Sequence, residues 1–506
     1  MNSKLERLYA LLRQCEYRNH AIQILNYDME TQASEGGMED DGRDISYLSE
    51  EIFRIHSSEE FRTLVEDLYL EKESFDFWNQ RLLTLLKREI DHEKNITPEF
   101  DKERTELFNK AYITWIKAKE KNDYSLFEDC LKKIVASERK YAALQDGHQE
   151  GRLYDVLLNQ YEEGFTSEDL DRFFDELEEG LVPLLKRVRA SSYTPRHDFL
   201  KRRVPISKQE EFSLFLMRFN GFDFKRGSLS TTEHPFTSQF SYNDVRITTH
   251  YFEDNFISNM YSIIHEGGHA LFGQNVREEV FTHQLGEASL SLSKHESVSR
   301  FYENVIGRSR SYIHAIYPEF KRIFAEEMSD VSEEDFYEGA NYVDFTNLLR
   351  TEADELTYSL HIIIRYRLEK LMMNGKVDFD NLDEEWNRLY NEILGVENKD
   401  ARTGILQDVH WTSGFGYFPT YSMGNALNCM YVKKMKQDLN FEDTIQEGHM
   451  DKILAWMKDN VFATAPLYDT KEWIRSLTGE DFSPKAYISY LTEKFTDLYH
   501  LGKENA

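Results

Sequence analysis

The sequence predicts a mainly α-helical protein with one small β-sheet, and three observations carry that expectation. Nine prolines and 24 glycines in 506 residues are few breakers, so the chain favours long uninterrupted elements, most economically helices. Apolar residues recur at i, i+3 and i+4 in segment after segment up to about residue 225. One stretch, residues 240–252, alternates with period two instead. A balance of 40% hydrophobic and 30% charged residues is that of a globular chain and argues against disorder. The length allows two or three average domains or one large body around a cleft.

Taken in order, the first helix is signalled by the capping-box spacing of Ser3 and Glu6, followed by Leu5, Leu8, Leu12 and Cys15 on one stripe. FEDCLKKIVASERKYAALQ and TSEDLDRFFDELEEGLVPLLKRV continue the pattern of one apolar face and one charged face. Residues 1–225 therefore read as a stacked helical N-terminal lobe. SSYTPRHDFLKRRVPISK, with two prolines and a basic excess, is the expected break before a second lobe over 226–506. In FSYNDVRITTHYF, Asp244, Arg246, Thr248 and His250 alternate with Val245, Ile247 and Thr249, which predicts a strand with a polar side available to a ligand.

Charge narrows the function. With 91 acidic against 61 basic residues the formal charge is −30, which repels a phosphate backbone and an anionic lipid surface. No nucleic-acid or membrane partner is expected. The first twenty residues carry charges every few positions and lack an apolar core, and no later stretch approaches 18 uncharged apolar residues, so neither export nor insertion is predicted. Cys15, Cys130 and Cys429 are too few and too widely spaced for a disulfide framework or a cysteine-type zinc site, which makes the cytoplasm the expected location.

The chemistry comes directly after the strand. DNFISNMYSIIHEGGHALFGQN reads as a helix capped at Asp254 or Asn255, with Phe256, Met260, Ile264 and Leu271 near one face. Within it, His265 and His269 lie four apart, so both imidazoles can reach one zinc ion at about 2.0 to 2.1 Å. Glu266 then stands beside a water whose pKa the metal lowers to about 7, and can act as its base against a peptide carbonyl. Gly267 and Gly268 cost about 1 kcal/mol each in mid-helix relative to alanine, which calls for close approach by another backbone or a substrate. A third ligand is needed. Phe272 and Asn275 stand where a ligand run continuing along the same helix would need Gly and His, so it comes from elsewhere. Glu296, 27 residues after His269, completes a His-His-Glu set with one position left open. Ser293 and Glu296 also have capping-box spacing, and Glu278, Glu279, His283 and Glu287 compete for the ligand role.

An ordered series of motifs resembles the carboxypeptidase Taq family of zinc metallocarboxypeptidases. His234-Pro235-Phe236 is similar to its HPF motif, Asp244 to Thr248 to its D-x-R-x-T strand, and His265 to His269 to its zinc helix. His295-Glu296-Ser297 resembles the segment bearing the third ligand, Arg350 to Glu355 its R-x-x-A-D-E, and Gly404 to Trp411 its G-x-x-Q-D-x-H-W. The resemblance covers the whole chain, read as one catalytic domain. It implies a large helical zincin-like metallopeptidase body with a deep substrate groove, broad removal of C-terminal residues from peptides with a free C-terminus, and a homodimer. Zinc is the implied metal, one per chain, with cobalt a possible substitute.

An exopeptidase must hold a free α-carboxylate, and a guanidinium grips one with two parallel bonds. Arg350 is the first candidate and Arg246 the second. An intrahelical pair of Arg350 with Asp354 is the plainer reading of that arginine. His410 and Tyr421 are expected to donate to the oxyanion, as His or Tyr does in the glutamate-zincins that the family resembles. Tyr417 competes with Tyr421 for that place, Asp244 is expected on the substrate side, and His234 and Trp411 either line the groove or pack beneath it. Two alternatives share part of the pattern: an endopeptidase or dipeptidyl carboxypeptidase with the same metal site, and a non-catalytic helical peptide-binding protein.

Overall fold

Helix runs of up to 29 residues dominate the computed structural model, as the scarcity of breakers requires. The structure describes residues 2–149, 151–286 and 290–502. Among them the only sheet has three strands, β1 (Leu229–Thr231), β2 (Thr237–Ser241) and β3 (Asp244–Thr249), in the order β1-β3-β2. β1 runs parallel to β3, and β2 antiparallel to it with an irregular register between Gln239 and Ser241. Buried apolar side chains form one continuous core from Leu5 to Tyr499.

The first helix, Ser3–Thr31, starts one residue earlier than its expected box. Asn2 is extended and accepts from the Lys4 amide at 2.9 Å, so asparagine takes the cap and Ser3 becomes the first helical residue. Leu5, Leu8, Leu12 and Cys15 are buried together as the stripe requires. Ser167–Arg189 has its box at Thr166 and Asp169 and buries Leu170, Phe173, Leu177, Leu181 and Leu184. Helix stops in the 191–208 stretch as expected, but this is no free linker. Phe199 and Val204 are fully buried, and the Val204 amide donates to the Glu253 carbonyl at 2.6 Å.

The sheet fixes the position of the next helix, Phe256–Asn275. Val245 and Ile247 of β3 are fully buried, and a Cβ on Gly273 of that helix would meet Gln239 at 3.0 Å and Val245 at 3.3 Å. The sheet thus lies directly against the helix that carries His265 and His269. The polar side of β3 is used within the protein. Thr248 is buried, its hydroxyl 2.9 Å from the Phe236 amide, and His250 Nδ1 lies 2.9 Å from the Thr232 carbonyl.

Gly268 answers the question posed by two mid-helix glycines. A Cβ there would sit 2.7 Å from Ser299 Cα and 3.0 Å from the Val298 carbonyl, so the neighbouring helix, Leu292–Arg300, can approach only a glycine. A Cβ at Gly267 would meet nothing within 4 Å. Gly268→Ala should therefore cost about 1 to 3 kcal/mol by overpacking, while Gly267→Ala should be stability-neutral or better; thermal melts of the two variants check this.

Candidate active site and metal centre

Two helices crossing at Gly268 bring three donors together. His265, His269 and Glu296 offer atoms that all lie within 4.8 Å of one another. Glu296 Oε2 is 3.7 Å from His265 Nε2 and 3.6 Å from His269 Nε2. Four ligands at zinc-like bond lengths are separated by roughly 3.3 to 3.5 Å, so the set fits one tetrahedral ion with little movement. Two imidazoles and one carboxylate also suit such a cation chemically.

Glu296 is free to ligate because its helix is capped otherwise. Ser291 is the cap residue, and the Ser293 amide donates at 2.8 Å to the buried Glu162, which replaces the expected Ser293–Glu296 box. Glu296 is 7% exposed, with Arg300 donating to its Oε1 at 2.7 Å and Ser299 to its Oε2 at 3.1 Å. A third helix supports this arrangement. A Cβ on Gly424, in Pro419–Asp438, would lie 3.0 Å from the Glu296 side chain.

Each histidine is held from behind. Past Arg300 the helix widens into a π turn, Phe301–Ile306, which carries Glu303 to 2.8 Å from His265 Nδ1. Burial opposes ionisation of Glu303, yet Arg300, His265 and Arg308 hold its pKa down at about 2. An ionised Glu303 can only accept, so His265 donates from Nδ1 and turns Nε2 toward Glu296. His269 Nδ1 faces His295 Nδ1 at 3.3 Å. Burial and the neighbouring His269 push His295 down to about 3, so its ring is neutral, and one of its tautomers accepts from His269 Nδ1. Glu266 Oε2 accepts from Thr237 Oγ1 at 2.7 Å, which ties the candidate base to the first residue of β2.

A second cluster gathers on the far side of Tyr358. The expected Arg350–Asp354 pair does not form, because Arg350–Glu352 is a single 3₁₀ turn and Asp354 instead accepts from the amide and hydroxyl of Thr357 in the turn ahead of the next helix. Arg350 donates from Nε and Nη2 to Asp408 Oδ1 at 3.0 and 2.8 Å, and from Nη1 to Tyr358 Oη at 3.2 Å. Arg365 reaches the other oxygen of Asp408 at 2.6 Å, so two guanidiniums share one carboxylate. Gln407 accepts from the Arg350 amide at 2.8 Å and fixes its backbone. His410 Nε2 lies 3.3 Å from Tyr421 Oη, and its buried Nδ1, 4.0 Å from Asp408 Oδ1, has no hydrogen-bond partner among the described residues. Burial, then Arg350, push His410 down to about 4, so it is neutral at pH 7.

Tyr358 joins the two clusters. Its ring lies 4.0 Å from the Arg300 guanidinium, and its hydroxyl takes the Arg350 bond. The Glu296 charge is felt at Tyr358, Tyr417 and Tyr421 alike. Tyr417 and Tyr421 stand edge to face, 5.3 Å apart.

Other candidates fall outside these clusters. Asp244 and Arg246 pair at 2.7 Å, and Arg246 lies against the rings of Tyr27 and Phe240. His234 is exposed in the turn before β2, and no bond engages its ring among the described residues. Trp411 packs beneath the loop, donating to Glu369 at 2.9 Å. Of the competing ligands, Glu278 is exposed, Glu279 pairs with Arg277, and His283 stacks on Trp78 near Tyr9. Glu287 lies outside the described residues. Sequence reasoning missed Thr237, Glu303, Tyr358 and Arg365. Only Glu303 had a usable signal, since Glu296, Arg300 and Glu303 recur at i, i+4 and i+7.

Comparisons with known proteins place the whole chain beside carboxypeptidases. The chain is 35% identical to carboxypeptidase 1 of Bacillus subtilis (strain 168), over 98% of this chain and 99% of that protein. It is 34% identical to thermostable carboxypeptidase 1 of Pyrococcus furiosus, over 98% and 99% respectively. The crystal structure of an M32 carboxypeptidase from Deinococcus radiodurans R1 superposes with a TM-score of 0.94 at 30% identity, covering 99% of this chain and all of that one. The profile described as carboxypeptidase Taq (M32) metallopeptidase matches residues 7–495, and with near-complete coverage on every side the chain belongs to that family.

Proposed function

We propose that the protein is a zinc-dependent carboxypeptidase that releases C-terminal residues from peptides with broad specificity. The observation that carries this reading is the juxtaposition, through Tyr358, of a His-His-Glu donor set with the buried Arg350. Zinc, when bound by His265, His269 and Glu296, supplies a Lewis acid that polarises the scissile carbonyl and acidifies a coordinated water.

The chain's own groups do the rest. Glu266 Oε2 is held by Thr237, and Oε1, which takes no protein bond among the described residues, receives the proton of the attacking water. It can then deliver that proton to the departing amine. His410 Nε2 and Tyr421 Oη face one another; with both groups neutral, their N–H and O–H can turn toward the carbonyl oxygen as negative charge develops there. Arg350 holds the α-carboxylate with the N–H groups on Nη1 and Nη2 that Asp408 and Tyr358 leave unused. Arg246 is second to it because it pairs with Asp244 against Tyr27 and Phe240, outside the cluster that Tyr358 joins to the metal donors. Tyr417 and His234 are assigned to the substrate side, Tyr417 on its contact with Tyr421.

We read the chain as one catalytic domain, on the continuity of its core from the first helix to the last. Among the described residues no helix is long and apolar enough to cross a membrane, and the three cysteines are free and buried, which supports a cytoplasmic enzyme. A homodimer is inferred from the family resemblance, with Tyr47 and Phe53 exposed on the second helix as candidate contacts.

The test is one long peptide, incubated with and without chelator, with products identified by mass. Single residues lost stepwise from the C-terminus are expected. Dipeptides or internal fragments would favour the endopeptidase or dipeptidyl carboxypeptidase reading, and no cleavage the binding-protein reading. Purified protein should carry about one zinc per chain, and Glu296→Ala should release or loosen it, as metal analysis after dialysis will show. If Glu296→Ala keeps full occupancy, the third ligand is elsewhere.

A further inference from the structure

The loop from Asp408 to Pro419 carries His410 and Tyr417 and leads into Tyr421, yet it is irregular apart from a 3₁₀ turn at His410–Thr412. Something must fix it. Gly414 and Gly416 adopt φ values of 118° and 97°, a conformation that glycine adopts without strain. A Cβ on Gly416 would lie 2.9 Å from the Leu157 carbonyl, so the loop is pressed against the helix Leu153–Tyr161.

At that contact a single buried carboxylate gathers three donors, two from the loop and one from the helix Leu153–Tyr161. Glu369, on the helix Tyr358–Met373, is 1% exposed. Its Oε1 accepts from Trp411 Nε1 at 2.9 Å. Its Oε2 accepts from the Gly416 amide at 2.9 Å and from Tyr154 Oη at 2.6 Å. Trp411 directly follows His410, and Gly416 directly precedes Tyr417. Both ends of the irregular segment are therefore tied to one side chain, which Tyr154 ties in turn to the N-terminal helices. No lysine or arginine nitrogen pairs with Glu369 among the described residues, although Arg365 lies one turn away on the same helix.

We propose that Glu369 is the positioning residue for the loop that bears His410 and Tyr417 and leads into Tyr421, kept for the geometry of that loop and not for the stability of the fold. The proposal rests on reading His410 and Tyr421 as donors to the carbonyl oxygen. Its physical basis is that an unpaired buried carboxylate is a poor stabiliser but a strong and specific acceptor. Burial raises the Glu369 pKa to about 7 despite its three donors and Arg365. A folded-state pKa above the unfolded value means that stability is greatest in acid and falls as pH rises through 7, so at neutral pH the ionised group weighs against folding. An apolar side chain would leave three buried donors unpaired and an amide would satisfy only some of them; only an acceptor with two equivalent oxygens can hold the indole, the amide and the phenol together.

Glu369→Gln separates the two roles. The amide has one oxygen for three donors, so in either orientation at least one donor faces its NH2 group and the loop loses an anchor. Expected are an unchanged or higher Tm, unchanged zinc content, and kcat reduced about 10-fold to 10²-fold with a smaller change in KM, the size of effect that accompanies sub-ångström to ångström misplacement. Trp411→Phe removes the same bond from the other side and should show the same kcat signature, with the double variant no worse than the weaker single one. Wild-type kcat in Glu369→Gln overturns the proposal, as does a variant that fails to fold or loses activity only in proportion to lost metal. His410→Ala and Tyr421→Phe distinguish the two readings. If they keep wild-type kcat while Glu369→Gln loses it, the donor assignment fails and the positioning role stands. If they lose kcat and Glu369→Gln does not, Glu369 positions nothing.

Discussion

Glu266→Gln is expected to lower kcat by at least about 10² while leaving zinc bound and KM little changed. The carboxylate is not among the three metal donors, so its replacement leaves the donor set intact. Glutamine keeps the length of the side chain and can still accept from Thr237, so the shape of the site survives. What it loses is basicity, because an amide cannot take up the proton of the attacking water. Metal content measured with kcat on the same preparation makes the result decisive: equal losses of both would mean that Glu266 acts through the metal site, and retention of activity would remove it from the mechanism. Thr237→Val is the graded companion. It frees the carboxylate without neutralising it, and should cost less than Glu266→Gln.

The helical fold was legible because breakers are scarce and apolar stripes recur, a signal that survives without tertiary information. Leu5, Leu8, Leu12 and Cys15 are buried as that stripe requires. Caps were less legible. Asn2, Ser3 and Glu6 all suit a helix start, and which one caps is decided by backbone angles that spacing does not reveal. Glu296 shows the same ambiguity resolved in the other direction. The buried Glu162, 131 residues before Ser293, accepts from the Ser293 amide and releases Glu296 toward the histidines.

The clustering of the three candidate metal donors was legible because a turn of helix sets two of them side by side. The environment of Arg350 was not. Its partners, Tyr358 and Asp408, lie 8 and 58 residues on, and Arg365 joins through the same carboxylate. Charge pairing across such separations leaves no period in the sequence. β3 is a third kind of case: its alternation correctly predicted a strand, but the polar side serves internal bonds through Thr248 and His250. Periodicity reports which residues share a side, and it does not report what lies opposite.

Amidating the C-terminus of a good substrate should lower kcat/KM on the order of 10² or more. Arg350 is 6% exposed and already shares Asp408 with Arg365, so two positive groups face one negative group where the substrate's end is to sit. A free carboxylate brings the second negative charge and accepts the N–H groups that remain on Nη1 and Nη2. An amide brings none, and its NH2 group faces donors. Charge-assisted hydrogen bonds of this kind are worth roughly 1.5 to 3 kcal/mol each, which sets the expected loss. Arg350→Ala should lose a similar factor on the free peptide and discriminate far less between free and amidated ends. Arg350 also anchors Asp408, so Arg350→Lys is the needed control: it keeps the charge beside Asp408 but gives up the parallel pair, and should fall between the wild type and alanine. Equal cleavage of free and amidated peptides at internal bonds would instead make this an endopeptidase, whatever metal it holds.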